Sequence, residues 1–106
     1  IDYFPSEESF ARAFQLTSNF EDTNIAVLLD TRGWLYYHME DYVSAKRVLK
    51  RAVEADGDES IFRFHLGMTY YRLGDNTSAK IELEKSLADD ATFVGSDEAS
   101  ELVKKL

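Results

Sequence analysis

Apolar residues follow the 3.6-residue period of amphipathic helices along most of the chain. After Tyr42 they recur at i, i+3, i+4, i+7 and i+8, as Ala45, Val48, Leu49, Ala52 and Val53. The segment before it, about residues 25–39, carries apolar residues on two faces, which indicates a helix that packs against more than one neighbour. Polar breaks separate such segments, so the pattern predicts helices over about residues 6–20, 25–39, 42–55, 60–73, 76–89 and 96–106.

The residues between these segments suggest how the helices begin and end. Ser6, Asp41 and Ser96 each stand at the start of a predicted helix, and their side-chain oxygens are suited to N-capping. Gly57 follows the third helix, where glycine commonly provides a left-handed C-terminal cap. The sequence has only 5 Gly and 1 Pro, so we expect short connections throughout.

One stretch of the chain occurs twice. Residues 33–49 recur 34 positions later as residues 67–83. A fixed period of this length is typical of repeat architectures. The positions that keep their residue type are Gly33/Gly67, Tyr36/Tyr70, Tyr37/Tyr71, Asp41/Asp75, Ser44/Ser78, Ala45/Ala79, Lys46/Lys80 and Leu49/Leu83.

The repeated glycines, alanines and tyrosines indicate closely packed helix pairs. Gly33 and Ala45 remove side-chain volume where two antiparallel helices meet, and Tyr36 fills the space beside them. The pattern Gly33-x-x-Tyr36, then Asp41-Tyr42-x-x-Ala45, then Leu49-x-x-Ala52-Val53 resembles the tetratricopeptide repeat family. The resemblance implies an all-α, right-handed solenoid of antiparallel helix pairs. It would form one domain with a half repeat at 6–20, full repeats at 26–57 and 60–91, and a capping helix at 96–106.

Two local features bear on this resemblance: the first departs from the family pattern, and the second adds to the similarity. The family usually has leucine where Arg32 stands, so we expect this arginine to snorkel outward or to face a missing neighbour. The stretch LLDTRGWLYY (28–37) is similar to the terminal repeats of bacterial members. The chain begins at Ile1 rather than Met, which favours a piece of a longer protein.

Composition and charge narrow the classes of partner. The formal net charge of −8 disfavours binding to nucleic acid and to anionic membranes. No apolar run reaches the length of a membrane span, so we expect no direct membrane insertion. There is no Cys, which excludes disulfides and thiolate metal sites but fits bacterial cytoplasm and periplasm equally.

The resemblance places the first helix of each pair on the concave side of the solenoid. A surface rich in aromatic residues and Met suits an extended or helical peptide. We therefore expect a protein–protein interaction module that binds a peptide or a partner domain. The predicted groove residues are Asp30, Thr31, Trp34, Tyr37, His38, Phe64, His65, Met68, Tyr71 and Arg72.

A structural role is the alternative. The same residues would then pack within a longer array, and the chain would be its C-terminal cap. It would form a homo-oligomer through its N-terminal helix, by the apolar stripe of Phe10, Phe14 and Phe20.

Catalysis has little support in the sequence. His38 and His65 are the only histidines, and with Asp30 they form a notional two-His-one-carboxylate metal site. They lie on different helices without metal-binding spacing, so we expect exposed or hydrogen-bonded histidines, no metal, no cofactor and no enzymatic activity. Some tetratricopeptide proteins hold a carboxylate with a clamp of Lys, Asn and Arg on these helices. The matching places here have no basic pair, which argues against that clamp; they carry Asp30, Trp34, Thr31 and His65.

Overall fold

The computed structural model describes residues 7–106, apart from the side chains of Glu7 and Asp90, and consists of helices joined by short connections. No β-strand occurs in that range. A 3₁₀ segment, Ser18–Asp22, follows the first helix, and a shorter one, Ala88–Asp90, precedes the last. The α-helices are α1 Glu7–Leu16, α2 Ala26–His38, α3 Tyr42–Ala55, α4 Ser60–Arg72, α5 Asn76–Ser86 and α6 Ser96–Lys105.

Each helix packs mainly against the next one in the chain. The closest partners are α2 with α3, α3 with α4 and α4 with α5, and α6 lies against α5. Leu29, Val48, Leu49 and Leu83 are almost completely buried between these helices. This arrangement confirms the predicted all-α solenoid of helix pairs.

The repeated glycines let the two helices of a pair approach each other closely. A Cβ added to Gly33 would lie 2.6 Å from Cδ2 of Leu49, and one added to Gly67 would lie 2.8 Å from Cδ2 of Leu83. Both distances are shorter than real carbon contacts allow, so any side chain would push the pair apart. The small residues predicted from the sequence therefore do close each pair.

The turn within each pair has the same hydrogen bonds. The N–H of Glu40 donates to the carbonyl of Tyr37 at 2.9 Å, and that of Asp41 donates to the carbonyl of Tyr36 at 3.0 Å. These two bonds define a Schellman motif, which requires a left-handed residue after the helix. Glu40 takes that conformation with φ 64°, and Gly74 takes it in the second pair with φ 83°.

Aspartates then start the second helix of each pair. The Asp41 side chain accepts a hydrogen bond from the N–H of Ser44 at 3.2 Å, as predicted for an N-cap. Asp75 accepts the same bond from Ser78 at 3.1 Å. The backbone hydrogen bond from Ser78 lowers the pKa of Asp75 below its usual value, because it stabilises the ionised carboxylate.

Two predicted caps are wrong, and a third lies outside the described residues. Gly57 does not adopt a positive φ; its carbonyl instead accepts a hydrogen bond from Nε of Arg63 at 2.8 Å. Ser96 is the first residue of α6, and the left-handed Gly95 (φ 105°) takes the cap position because its backbone packs against Phe64. The predicted N-cap at Ser6 lies in the undescribed segment before residue 7.

The first predicted helix is shorter than expected. α1 ends at Leu16, and a 3₁₀ turn continues the chain to Asp22 instead of one uninterrupted helix. Arg51 of α3 holds the end of this turn, donating to the carbonyls of Glu21 and Thr23 at 2.9 Å each. The connection before α2 is thus fixed by long-range contacts that periodicity does not reveal.

Candidate functional site

A buried hydrogen-bonded pair joins the first helices of the two repeats. Nδ1 of His65 on α4 lies 2.8 Å from Oδ1 and 3.0 Å from Oδ2 of Asp30 on α2. Both residues are buried, with 7% and 6% of their surface exposed. The carboxylate can only accept, so Nδ1–H is the donor and the pair fixes the imidazole orientation.

Trp34 lies beside this pair in a stack of rings. Its ring centroid is 3.8 Å from that of His65 and 4.3 Å from that of Tyr37, with interplanar angles of 15° and 17°. The indole is half-buried and bridges α2 to α4. The stack therefore holds the only tryptophan of the chain in one position while leaving part of it exposed.

Tyr37 and Arg72 form a second link between α2 and α4. Nε of Arg72 donates a hydrogen bond to the Tyr37 hydroxyl at 3.0 Å, and the guanidinium carbon lies 5.8 Å from the ring centroid. Burial raises the pKa of Tyr37, although Arg72 opposes this by favouring the ionised hydroxyl. The hydrogen bond to Tyr37 raises the pKa of Arg72, which is exposed and positively charged.

His38 closes the row at the C-terminal end of α2. Its ring stacks on Phe10 of α1 with 5.6 Å between centroids and meets the Trp34 ring edge-on at 4.9 Å. Desolvation by these neighbours, followed by the nearby His65, lowers the pKa of His38. The ring is consequently neutral at neutral pH.

The predicted groove residues separate into two layers. Phe64 and Met68 belong to the hydrophobic core, where the Phe64 ring lies 5.4 Å from that of Phe93. Asp30, Tyr37 and His65 are buried as well. The residues that reach solvent are Thr31, His38, Tyr71 and Arg72, with Trp34 half-buried. We call this surface, with the neighbouring Val27, the α2–α4 face.

A polar cluster around Arg32 was not found from the sequence. This residue neither snorkels nor lacks a neighbour, as the sequence suggested; it is only 4% exposed. Its Nε donates to Oε2 of Glu21 at 2.8 Å, and its Nη1 donates to the carbonyl of Phe14. The guanidinium carbon lies 3.5 Å from the Phe14 ring centroid, a cation–π contact that covers the ring.

Glu21 is the centre of this cluster. Tyr36 donates its hydroxyl to Oε2 at 2.7 Å, and Arg47 donates to Oε1 at 3.1 Å. Burial alone would raise the pKa of Glu21, but the hydrogen bonds from Arg32, Tyr36 and Arg47 lower it overall. Glu21 stands in the predicted polar break and has no periodic relation to Arg32, so helical periodicity does not predict their contact.

The described residues provide no site for a metal ion. Within residues 7–106, no three His, Cys, Asp or Glu side chains come together closely enough to ligate one. His38 is separated from the Asp30–His65 pair by the stacked Trp34. Among the described helices, none combines the length and apolar character that crossing a bilayer requires.

These helix pairs form a repeat scaffold, and sequence comparison identifies its family. The family profile described as tetratricopeptide repeat matches residues 26–59 and 62–88, which together are more than half of the chain. The chain therefore belongs to the tetratricopeptide repeat family. A search of curated proteins finds no match. The family is a non-catalytic scaffold whose repeats generally mediate protein–protein interactions.

Proposed function

We propose that the α2–α4 face binds an extended or helical segment of a partner protein. The observation that carries this proposal is the fixed position of Trp34, stacked between His65 and Tyr37 while part of its surface stays exposed. A preorganised aromatic side chain loses little conformational entropy on binding. Such residues commonly provide the largest share of the binding energy at an interface.

The exposed side chains around Trp34 suit a polypeptide. Tyr71 is 39% exposed and Val27 is 56% exposed, so both offer apolar surface next to polar groups. Arg72 presents a cation that the Tyr37 hydroxyl holds through Nε, and its terminal nitrogens donate no hydrogen bond to another described residue. This combination favours a segment with an apolar or aromatic anchor and a carbonyl or carboxylate group near Arg72.

The buried members of the predicted groove have a supporting role in this proposal. Asp30, Tyr37 and His65 fix the groups above them by hydrogen bonds and stacking, and Phe64 and Met68 hold α4 in the core. Direct contact with the partner falls to the exposed residues and to Trp34. Specificity then depends on residues that differ between the two repeats, such as His38 and Arg72.

The experiment is a selection of peptides from a random library displayed on phage. Selected peptides are titrated against the wild type by following Trp34 fluorescence and amide shifts in NMR spectra. Tyr71→Ala and Arg72→Gln change exposed side chains, so they should fold normally and weaken binding about tenfold or more. Shifts in the wild type should concentrate on α2 and α4.

A matched control is available on another face. Val43 of α3 is 68% exposed and contributes no group to the α2–α4 face, so Val43→Ala should leave affinity unchanged. If the peptides bind Tyr71→Ala and Arg72→Gln as tightly as the wild type, the α2–α4 face is not the binding surface. Circular dichroism must show equal helicity for all variants.

The alternative role, self-association through the first helix, has weaker support. Phe10 stacks on His38, and Phe14 is covered by Arg32 and meets the Tyr36 ring at 5.0 Å. Phe10 and Phe14, which were expected to contact a second copy of the chain, thus face α2 of their own chain. Leu16 remains as an apolar residue of α1 with 73% exposure. Sedimentation of the wild type and Leu16→Glu over a range of concentrations tests this alternative directly.

A further inference from the structure

The turn after α2 places a glutamate in the left-handed conformation for which the second repeat uses glycine. Glu40 has a φ of 64°, and the equivalent turn in the second repeat uses Gly74 with a φ of 83°. Only glycine adopts this left-handed region without a steric cost, because other residues bring Cβ close to the backbone. Residues in such strained conformations cluster at functional sites, so the Glu40 side chain is a candidate for a function.

Glu40 lines a cavity between α1 and the end of α2. The cavity has a volume of about 260 Å³. It adjoins the α2–α4 face and shares only His38 with it. Its walls are formed by Phe10, Ala11, His38, Met39 and Glu40.

The chemistry of these walls is complementary to a cation on an apolar stem. Glu40 brings the only carboxylate of the lining, and no hydrogen bond or ion pair joins it to another described side chain. Phe10 offers an aromatic ring, and Ala11 and Met39 offer apolar surface. Because burial lowers the pKa of His38, its ring adds no positive charge at neutral pH.

We propose that this cavity binds an arginine or lysine side chain of a partner polypeptide. The aliphatic stem lies along Ala11 and Met39, and the charged end meets the Glu40 carboxylate and the Phe10 ring. A basic partner also agrees with the net charge of −8. The proposal rests on the proposed function only in taking the ligand to be a polypeptide.

The test uses a blocked peptide, acetyl-Gly-Gly-Arg-Gly-Gly-amide, titrated into the full chain and followed by amide shifts in NMR spectra. The matched probe replaces arginine with citrulline, which has the same shape without the charge. The arginine peptide should shift Ala11, His38, Met39 and Glu40, whereas the citrulline peptide should bind at least about threefold more weakly.

Variants at Glu40 separate charge from backbone conformation. Glu40→Gln removes the charge but keeps the left-handed strain, and Glu40→Gly removes both; each should weaken the arginine peptide about three- to fivefold. Glu54→Gln changes an exposed residue of α3 that does not line the cavity, so it should leave binding of the arginine peptide unchanged. Equal binding of the arginine and citrulline peptides, or wild-type affinity in Glu40→Gln, overturns the proposal.

The outcome can be distinguished from that of the proposed function. Tyr71→Ala alters the α2–α4 face but not the cavity lining, so it should leave binding of the arginine peptide unchanged. Loss of arginine binding in Tyr71→Ala would contradict a separate cavity site. If library peptides bind through Tyr71 but the arginine peptide causes no amide shifts, the proposed function stands and the cavity site is excluded.

Discussion

Trp34 and His65 stack across the boundary between the two repeats, with ring centroids 3.8 Å apart. Asp30 holds the imidazole through the hydrogen bond from Nδ1, at 2.8 Å. The position of the tryptophan therefore depends on a hydrogen bond in which it takes no part. Four predictions test this and the other contacts that position the candidate site.

Replacing Asp30 should destabilise the chain and loosen Trp34. Asp30→Ala removes the charged acceptor of a buried histidine, which should cost about 1.5–3 kcal/mol of unfolding free energy. Urea denaturation followed by Trp34 fluorescence measures this loss. Thr31→Val is the control, because Thr31 is exposed and its hydroxyl donates only to Val27 within its own helix. A loss below about 0.5 kcal/mol in Asp30→Ala would show that the pair contributes little.

Glycine substitutions should separate crowding from backbone strain. Gly33→Ala places a Cβ 2.6 Å from the Leu49 side chain, so overpacking should cost about 1–3 kcal/mol. Gly74→Ala meets nothing within 4 Å and should cost only about 1 kcal/mol for its left-handed φ. Thermal unfolding followed by circular dichroism compares the two. A stabilised Gly33→Ala variant would mean that the helix pair relaxes without penalty.

Replacing Glu40 with glycine should stabilise the fold. Its φ of 64° costs a residue with a side chain about 1–2 kcal/mol, and the greater unfolded-state entropy of glycine offsets part of this gain. We expect a net gain of about 0.5–1 kcal/mol in Glu40→Gly by urea denaturation. Glu40→Gln keeps the strain and should match the wild type. Equal stability of all three proteins would remove the evidence for strain at this turn.

The Glu21 cluster should make stability depend on pH. Burial raises the pKa of Glu21, but its hydrogen bonds outweigh this and lower the folded-state pKa below the ordinary value of 4.5. The contribution of Glu21 is therefore present above that value and is lost as pH falls through the folded pKa. At pH 7, Glu21→Gln leaves Arg32 without its charged partner and should lose about 2–3 kcal/mol.

The measurement for Glu21 is urea denaturation at several pH values. The difference between wild type and Glu21→Gln should shrink as pH falls below about 4.5. Glu101→Gln is the control, since Glu101 pairs only with the exposed Lys104 on the surface and should change stability by less than about 0.5 kcal/mol. A constant difference across the acidic range would show that the ionised form of Glu21 is not what stabilises the cluster.

The repeat scaffold was predictable because its contacts recur. Gly33, Asp41, Ala45 and Leu49 have counterparts 34 residues later, and each performs the same local task in both copies. The packing of each helix pair and the capping of its helices depend on contacts within one repeat, so the residues that make them recur with the repeat period. The left-handed turn at Glu40 was not predicted, because glutamate gives no signal for that conformation.

The candidate site was predicted only in outline. The face of α2 and α4 follows from helical spacing, but the burial of individual side chains depends on what packs over them. Phe64 is buried because the loop at Gly95 packs against it, and the residue pattern of α4 does not predict that contact. Arg32 likewise acquires its partner Glu21 from a segment without regular periodicity.

The stack of Trp34 on His65 also sets a length scale for any ligand that contacts both α2 and α4. Helices in contact lie about 8–10 Å apart, so a ligand that spans the two must cover a distance of that order. A polyproline II strand advances about 3.1 Å per residue and repeats its orientation every three residues. Side chains at i and i+3 of such a strand would thus meet corresponding places on successive repeats, which makes a three-residue spacing the natural pattern to seek among selected peptides.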